Sequence, residues 1–227
     1  MNTDDLPLAV PSSPCLLVLS GPSGIGKTSL ARAMAGADPK IRCALNVTTR
    51  SPRPGAEDQY EHVSRKKFLE MVENDEFIEW IHPSFDEYYG MPRETVTKAI
   101  ESDVDLVFDW VPEGYLNLRR WYPEQTIGVF VMAPTVATMR QRLHGRATET
   151  ESELVHRQHM AEQDFDFVDQ HEYHVVNDDF DRTLGLLMSI RAAEKARLRR
   201  QPGVLENYRR IARRSQLAYY QQPAAVQ

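Results

Sequence analysis

The stretch Gly21-Pro22-Ser23-Gly24-Ile25-Gly26-Lys27-Thr28 fits the pattern G-x-x-x-x-G-K-[ST] without a mismatch. Each residue type in it suits polyphosphate chemistry. Glycines let the backbone curl so that successive N–H groups face one point, where phosphate oxygens can sit. A helix opening near Lys27 adds the positive end of its dipole. The Lys27 ammonium can reach β- and γ-phosphates, and the Thr28 hydroxyl can ligate Mg²⁺. The bland alternative is a plain strand-to-helix turn. Against it, the apolar run Cys15-Leu16-Leu17-Val18-Leu19 reads as a buried parallel strand, and Lys27 to about Ala35 reads as a helix. The motif specifies a nucleoside triphosphate and phosphoryl transfer. It does not specify the acceptor.

A second cluster, Thr48-Thr49-Arg50-Ser51-Pro52-Arg53-Pro54-Gly55, sets two arginines three residues apart between prolines. Arg50 and Arg53 could form a rigid fork for a phosphate monoester. A proline-stiffened basic surface loop accounts for the same residues equally well.

Taken together, these motifs and others resemble guanylate kinases over roughly residues 15–200. The shared features are the phosphate loop, the 48–55 cluster, Phe-Ile-Glu-Trp at 77–80, Tyr-Tyr-Gly at 88–90 and Asp-Trp at 109–110. Further along come Arg-Leu-x-Gly-Arg at 142–146, Arg157, and Val-Asn-Asp-Asp at 176–179. The resemblance implies ATP as donor, Mg²⁺ as cofactor and GMP as acceptor. It implies that Arg50 and Arg53 grip the monophosphate, with Tyr60 and Tyr89 hydrogen-bonding it. Glu79 matches the carboxylate that accepts from the guanine N1–H and 2-amino group, and Asp109 a second acid near that edge. Core packing is the competing role for the tyrosines, above all Tyr88, and backbone or Mg²⁺ binding for Asp109. Arg142, Arg146 and Arg157 match lid arginines that neutralise charge on the moving phosphoryl group; exposed ion pairs are the alternative. Asn177 matches a residue near the adenine, or caps a strand end.

The sequence departs from the family pattern where base selection would occur. Met91 stands where Ser or Thr usually bonds the guanine 6-oxo group, and Asn46, at a position where serine is common, could replace the lost donor. Val107 replaces the first of two acids, and Val111-Pro112-Glu113-Gly114 replaces a shorter turn. A modified guanine nucleotide or a ribose bisphosphate is therefore a competing acceptor. A non-catalytic guanylate-kinase-like binding module is a third reading.

The elements that must position these residues alternate. Strands are expected at Arg42 to Val47, Phe77 to Ile81, Val104 to Trp110, Thr126 to Met132 and Tyr173 to Val176. Helices are expected at Ser64 to Asn74, Arg93 to Ile100, Thr135 to Leu143, up to about Asp164, and Asp179 to about Arg200. This predicts an α/β fold: a P-loop, doubly wound, mainly parallel sheet with a small acceptor-binding lobe (about 46–92) and a helical lid (about 143–158). The domain spans 14–200, between a loose leader (1–13) and a basic C-terminal extension (201–227). The chain's −6 net charge argues against general nucleic-acid binding. From Arg191 to Gln227 nine Lys/Arg and two Asp/Glu give +7, leaving −13 elsewhere. That end reads as a solvated helix, or as a docking segment for an acidic partner or a second subunit. No apolar run reaches the ~20 residues of a membrane helix, and a cytoplasmic location is expected. Cys15 and Cys43 are expected to be buried free thiols.

Overall fold

The computed structural model describes residues 12–52, 60–82, 87–144 and 161–220. Strands β1 (Leu16–Ser20), β2 (Ile41–Cys43), β7 (Asp105–Asp109), β8 (Thr126–Met132) and β9 (Tyr173–Val176) form one sheet. Its order is β2-β7-β1-β8-β9, and every neighbouring pair is parallel. Strand β1 is buried along its whole length, which explains its unbroken apolar run. Leu17 and Leu19 pack on one face with Leu30 and Met34 of α1 (Lys27–Ala37) and Leu187 and Ile190 of α6 (Phe180–Lys195). Leu16 and Val18 turn to the other face. There they meet Val96 and Ala99 of α3 (Arg93–Glu101) and Tyr115 and Leu118 of α4 (Pro112–Trp121). The period-two alternation of a strand thus builds two cores from one segment. The expected doubly wound, mainly parallel architecture is present.

A second sheet has the order β4-β3-β6-β5, from β4 (Tyr60–His62), β3 (Asn46–Thr48), β6 (Tyr89–Pro92) and β5 (Phe77–Ile81). The β3–β4 pair is parallel and the other two are antiparallel. Its outer face carries α2 (Arg65–Glu73), capped by the Ser64 hydroxyl, which accepts from Lys67 N–H at 3.2 Å. Phe68, Phe77, Met71, Val47 and Tyr88 form a separate small core there. The single strand expected over Arg42 to Val47 is two strands in two sheets. Ala44 N–H still bonds Val107 O, keeping it with the main sheet. Two residues on, Asn46 is paired with Tyr60 of the small sheet. A six-residue apolar pattern carries no sign of that change of partner. Strands β4 and β6 and helix α4 were not expected.

Helix α5 (Val136–His144) follows β8, and residues 161–164 are helical before a 3-10 turn at Phe165–Gln170. Asp179 caps α6 by accepting from Arg182 N–H at 2.8 Å. The expected basic extension forms helix α7 (Pro202–Tyr220). Cys15 is buried and Cys43 half-buried, both free.

One buried carboxylate ties the end of α6 to the sheet. Asp105, 2% exposed, accepts from Cys15 N–H at 2.7 Å, Arg191 Nε at 2.6 Å and Lys195 Nζ at 3.0 Å. Its removal strands cations and an amide in a covered site. Asp105→Ala is expected to cost about 3–5 kcal/mol of stability. Urea unfolding followed by circular dichroism should show a lowered midpoint with an unchanged slope.

Candidate active site

The carboxyl ends of β1, β7 and β9 bring three sequence-distant groups together. Beyond β1 the loop runs through Gly21, Gly24 and Gly26, all with left-handed φ (122°, 81° and 98°). Gly26 is the N-cap of α1, which receives no side-chain cap and has no acid in its first turn. The helix's amide end therefore faces the loop without a chain-supplied anion. Lys27 Nζ donates to Gly21 O at 2.7 Å and Pro22 O at 2.9 Å. It also lies 3.8 Å from Asp109 Oδ1 at the end of β7. The Thr28 hydroxyl donates to Asp109 Oδ2. A hydroxyl and a carboxylate thus meet beside the loop, the hard oxygen donors that Mg²⁺ prefers. Val107, inside β7 and 1% exposed, adds none.

Asn177 follows β9. Its side-chain amide donates to Ile25 O at 2.7 Å, its N–H bonds Met132 O, and its own carbonyl accepts from Arg142 at 3.0 Å. A Cβ at Gly26 would stand 2.7 Å from Asn177 Nδ2. Asn177 thus shapes the loop backbone directly, and Arg142, at the end of α5, is moored to it. Arg53, Arg146 and Arg157 lie outside the described residues.

The other face of the small sheet joins the core beneath the main sheet, where Met91, Tyr60 and Tyr89 cluster with Val18 and Trp110. Register pairs Glu79 of β5 with Met91 of β6, past a bulge at Phe77/Glu79, so both share a face. Tyr60 and Tyr89 meet edge-on at 5.6 Å, and the Arg50 guanidinium lies 5.4 Å from the Tyr60 ring. Tyr89 donates to Glu87 at 2.6 Å, and burial pushes its phenol up to about 12, aided by Glu87. It therefore stays a donor at neutral pH. Arg50 is held by backbone: its N–H donates to Thr48 Oγ1 and its carbonyl contacts His62 Nδ1 at 2.6 Å. Tyr88 is buried against Phe68 and His82 in the lobe core. Met91 is fully buried beside Ile78, Val96 and Trp110. Asn46 is 3% exposed, and its Oδ1 finds no partner among the described residues.

Glu79 is half-buried, and desolvation holds its carboxyl above the usual range, against the Asn117 hydrogen bond and the nearby Trp110 N–H. Asp164 closes the helical turn before the 3-10 segment. Burial pushes it up to about 6, opposed by the attraction of Lys27 and reinforced by Glu113.

Sequence comparison bears on this geometry. A family model described as guanylate kinase matches residues 13–194. A guanylate kinase of Desulfitobacterium hafniense is 36% identical over 193 residues, 84% of this chain and 96% of that protein. One from Caldanaerobacter subterraneus is 35% identical, covering 82% and 90%. The crystal structure of guanylate kinase from Anaplasma phagocytophilum superposes with a TM-score of 0.70 at 25% identity, covering 85% of this chain and 92% of that one. The chain belongs to the guanylate kinase family. As a family member it is a phosphotransferase, a nucleoside monophosphate kinase.

Within a guanylate kinase frame, two residues acquire meaning that the motifs did not carry. Asn117 of α4 donates to Glu79 Oε1 at 3.0 Å, and Trp110 and Gly114 press on the same carboxylate. The signal for α4 was present: Pro112 at a first-turn position, then Tyr115 and Leu118 at helical spacing. Asp164 is the other. A lone acid in a polar helix gives no sequence sign that Lys27 is near it.

A raised carboxyl favours the folded state fully below its ordinary value, and that contribution is lost as pH rises through the folded value. Asp164 therefore weakens the fold above about pH 6. Asp164→Asn is expected to match the parent near pH 4 and to exceed it in urea midpoint at pH 7.5.

Proposed function

We propose that this guanylate kinase homologue transfers the γ-phosphoryl group of ATP to GMP, yielding ADP and GDP. The observation that carries the reading is the gathering of Lys27, Thr28 and Asp109 at a glycine loop. One face of the small sheet bears Glu79, Tyr60 and Tyr89. The ATP polyphosphate lies on the amides of Gly21–Thr28. Lys27 exchanges its two carbonyl partners for phosphate oxygens, which cost no reorganisation of the loop itself. Thr28 and Asp109 would hold Mg²⁺, which neutralises charge on the β- and γ-phosphates.

Arg50, together with Arg53, grips the acceptor phosphate, with Tyr60 and Tyr89 as phenolic donors. Glu79 receives the N–H edge of guanine. An acceptor phosphate oxygen forms the new bond to the γ-phosphorus as the bond to the β–γ bridging oxygen breaks, and ADP leaves. The attacking oxygen is already anionic, so no strong general base is required. Positioning and charge neutralisation supply the catalysis. Arg142, Arg146 and Arg157 share in that neutralisation as a lid excludes water. No described helix is long and apolar enough to cross a membrane, and a cytoplasmic location suits the reaction.

A second reading keeps the chemistry and alters the acceptor. Met91 cannot donate to a 6-oxo group, and the Asn46 amide is a polar group on the neighbouring strand β3. Looser choice at the purine 6-position follows, because an apolar wall discriminates less than a hydrogen-bonding one.

Two measurements test these readings. Lys27→Ala should lower kcat by about 10²- to 10³-fold or more, the cost of one preorganised charge-stabilising donor, with its circular dichroism unchanged. Near-normal turnover would overturn the phosphate role. Initial rates with GMP, dGMP, IMP, AMP and 6-substituted guanosine monophosphates then choose between acceptors. A sharp GMP preference defeats the second reading.

A further inference from the structure

Glu79 is the carboxylate that the proposed function assigns to the guanine edge, yet it is held chiefly by a helix the motifs do not mention. Asn117 Nδ2 donates to Glu79 Oε1 at 3.0 Å. Arg120, one turn along α4, donates to Asn117 Oδ1 at 2.8 Å. That second bond settles the amide's orientation: with Oδ1 facing a guanidinium, only the NH₂ group is left for the carboxylate. The far oxygen, Glu79 Oε2, is buried and makes no hydrogen bond of good geometry.

Helix α4 cannot drift from this position. A Cβ at Gly114 would fall 1.8 Å from the Trp110 ring and 2.7 Å from Glu79 Oε2. The helix therefore enters in contact with the carboxylate, and Asn117, three residues on, lies on the same helical face. The opposite side of α4 is clamped to the main sheet. Tyr115 donates to Glu172 at 2.9 Å, Arg119 donates to the Tyr115 hydroxyl at 2.6 Å, and Glu172 Oε2 accepts from Gly128 N–H at 2.6 Å.

We propose that Asn117 is a positioning residue for acceptor recognition: it orients Glu79 so that the carboxylate can accept from a purine edge bearing N–H donors. The inference rests on the acceptor reading given above. Desolvation works against ionisation here, and Glu113 adds to that; Trp110 and Arg120 act with Asn117 to oppose it. Losing the Asn117 donor must then raise the Glu79 pKa further. Glu79 accepts only as the carboxylate, so the acidic limb of acceptor use moves to higher pH. A role confined to packing would not move that limb.

The test is steady-state kinetics of the full chain with ATP and GMP, using Asn117→Leu and the isosteric Asn117→Asp. The second variant keeps the shape while removing the N–H. Both are expected to raise KM for GMP at least about tenfold, with kcat and KM for ATP within about twofold. The acidic limb of kcat/KM for GMP should shift upward, further for N117D. In an E79Q background, N117L should change KM for GMP by less than about twofold, since the two residues act as one unit. If wild-type protein turns over GMP and N117D equals it in KM and pH limb, the role of Asn117 is wrong. If wild-type protein phosphorylates no purine monophosphate, the acceptor assignment itself falls, and this inference with it.

Discussion

An ammonium group at the mouth of a glycine loop has to be balanced before any substrate arrives, and much of this molecule follows from how Lys27 is balanced. Two loop carbonyls, Gly21 O and Pro22 O, accept from it, and the Asp109 carboxylate stands within ion-pair range. The loop can offer those carbonyls only because its glycines adopt left-handed φ. Asp109 can stand there only because β7 runs parallel to β1 in matched register, Leu19 against Asp109. The third strand end contributes Asn177, whose amide closes the loop at Ile25. Parallel strands put all three strand ends on one edge, so residues far apart in sequence meet at one loop.

That arrangement also clarifies which residues the motifs could reveal. Gly21–Thr28 was legible because its chemistry is local: eight consecutive residues bracketed by a strand and a helix. The main sheet was legible because buried parallel strands are continuous apolar runs. Asp109 and Asn177 were recognisable as site residues by resemblance, but not by environment. Nothing in Phe-Asp-Trp or Val-Val-Asn says which backbone the polar group will meet. In the structure both serve the phosphate loop, Asp109 through Lys27 and Thr28, Asn177 through Ile25.

The small sheet was the least legible part, for physical reasons. Its strands β3 and β4 have three residues each, too short for a period-two pattern to repeat. The bulge at Phe77/Glu79 interrupts alternation in β5, where face assignment matters most. Strand β6 carries Tyr, Gly, Met and Pro, a composition that reads as a turn. Helix α4 begins with Val111 in place of a polar cap, so its start was marked only by Pro112 in the first turn.

The two halves of the site face opposite electrostatic problems, and the fold resolves them differently. At the phosphate loop the chain supplies cationic and amide character, and a polyanion completes it. At Glu79 the chain supplies an anion in a desolvating niche, and donors must complete it. Asn117 provides one donor to Oε1, and Trp110 lies beside the carboxylate, yet Oε2 lacks a bond of good geometry. A half-satisfied carboxylate in a desolvating niche is costly in the free protein, and a ligand edge with N–H groups would relieve that cost. Met91 cannot relieve it, being an apolar side chain packed under Trp110. On the proposed acceptor reading, discrimination rests on the donor-bearing edge of the purine, and the 6-position meets a weaker constraint. On that reading an analogue lacking those donors leaves Glu79 Oε2 without a partner and is disfavoured, whatever its fit at the phosphate end.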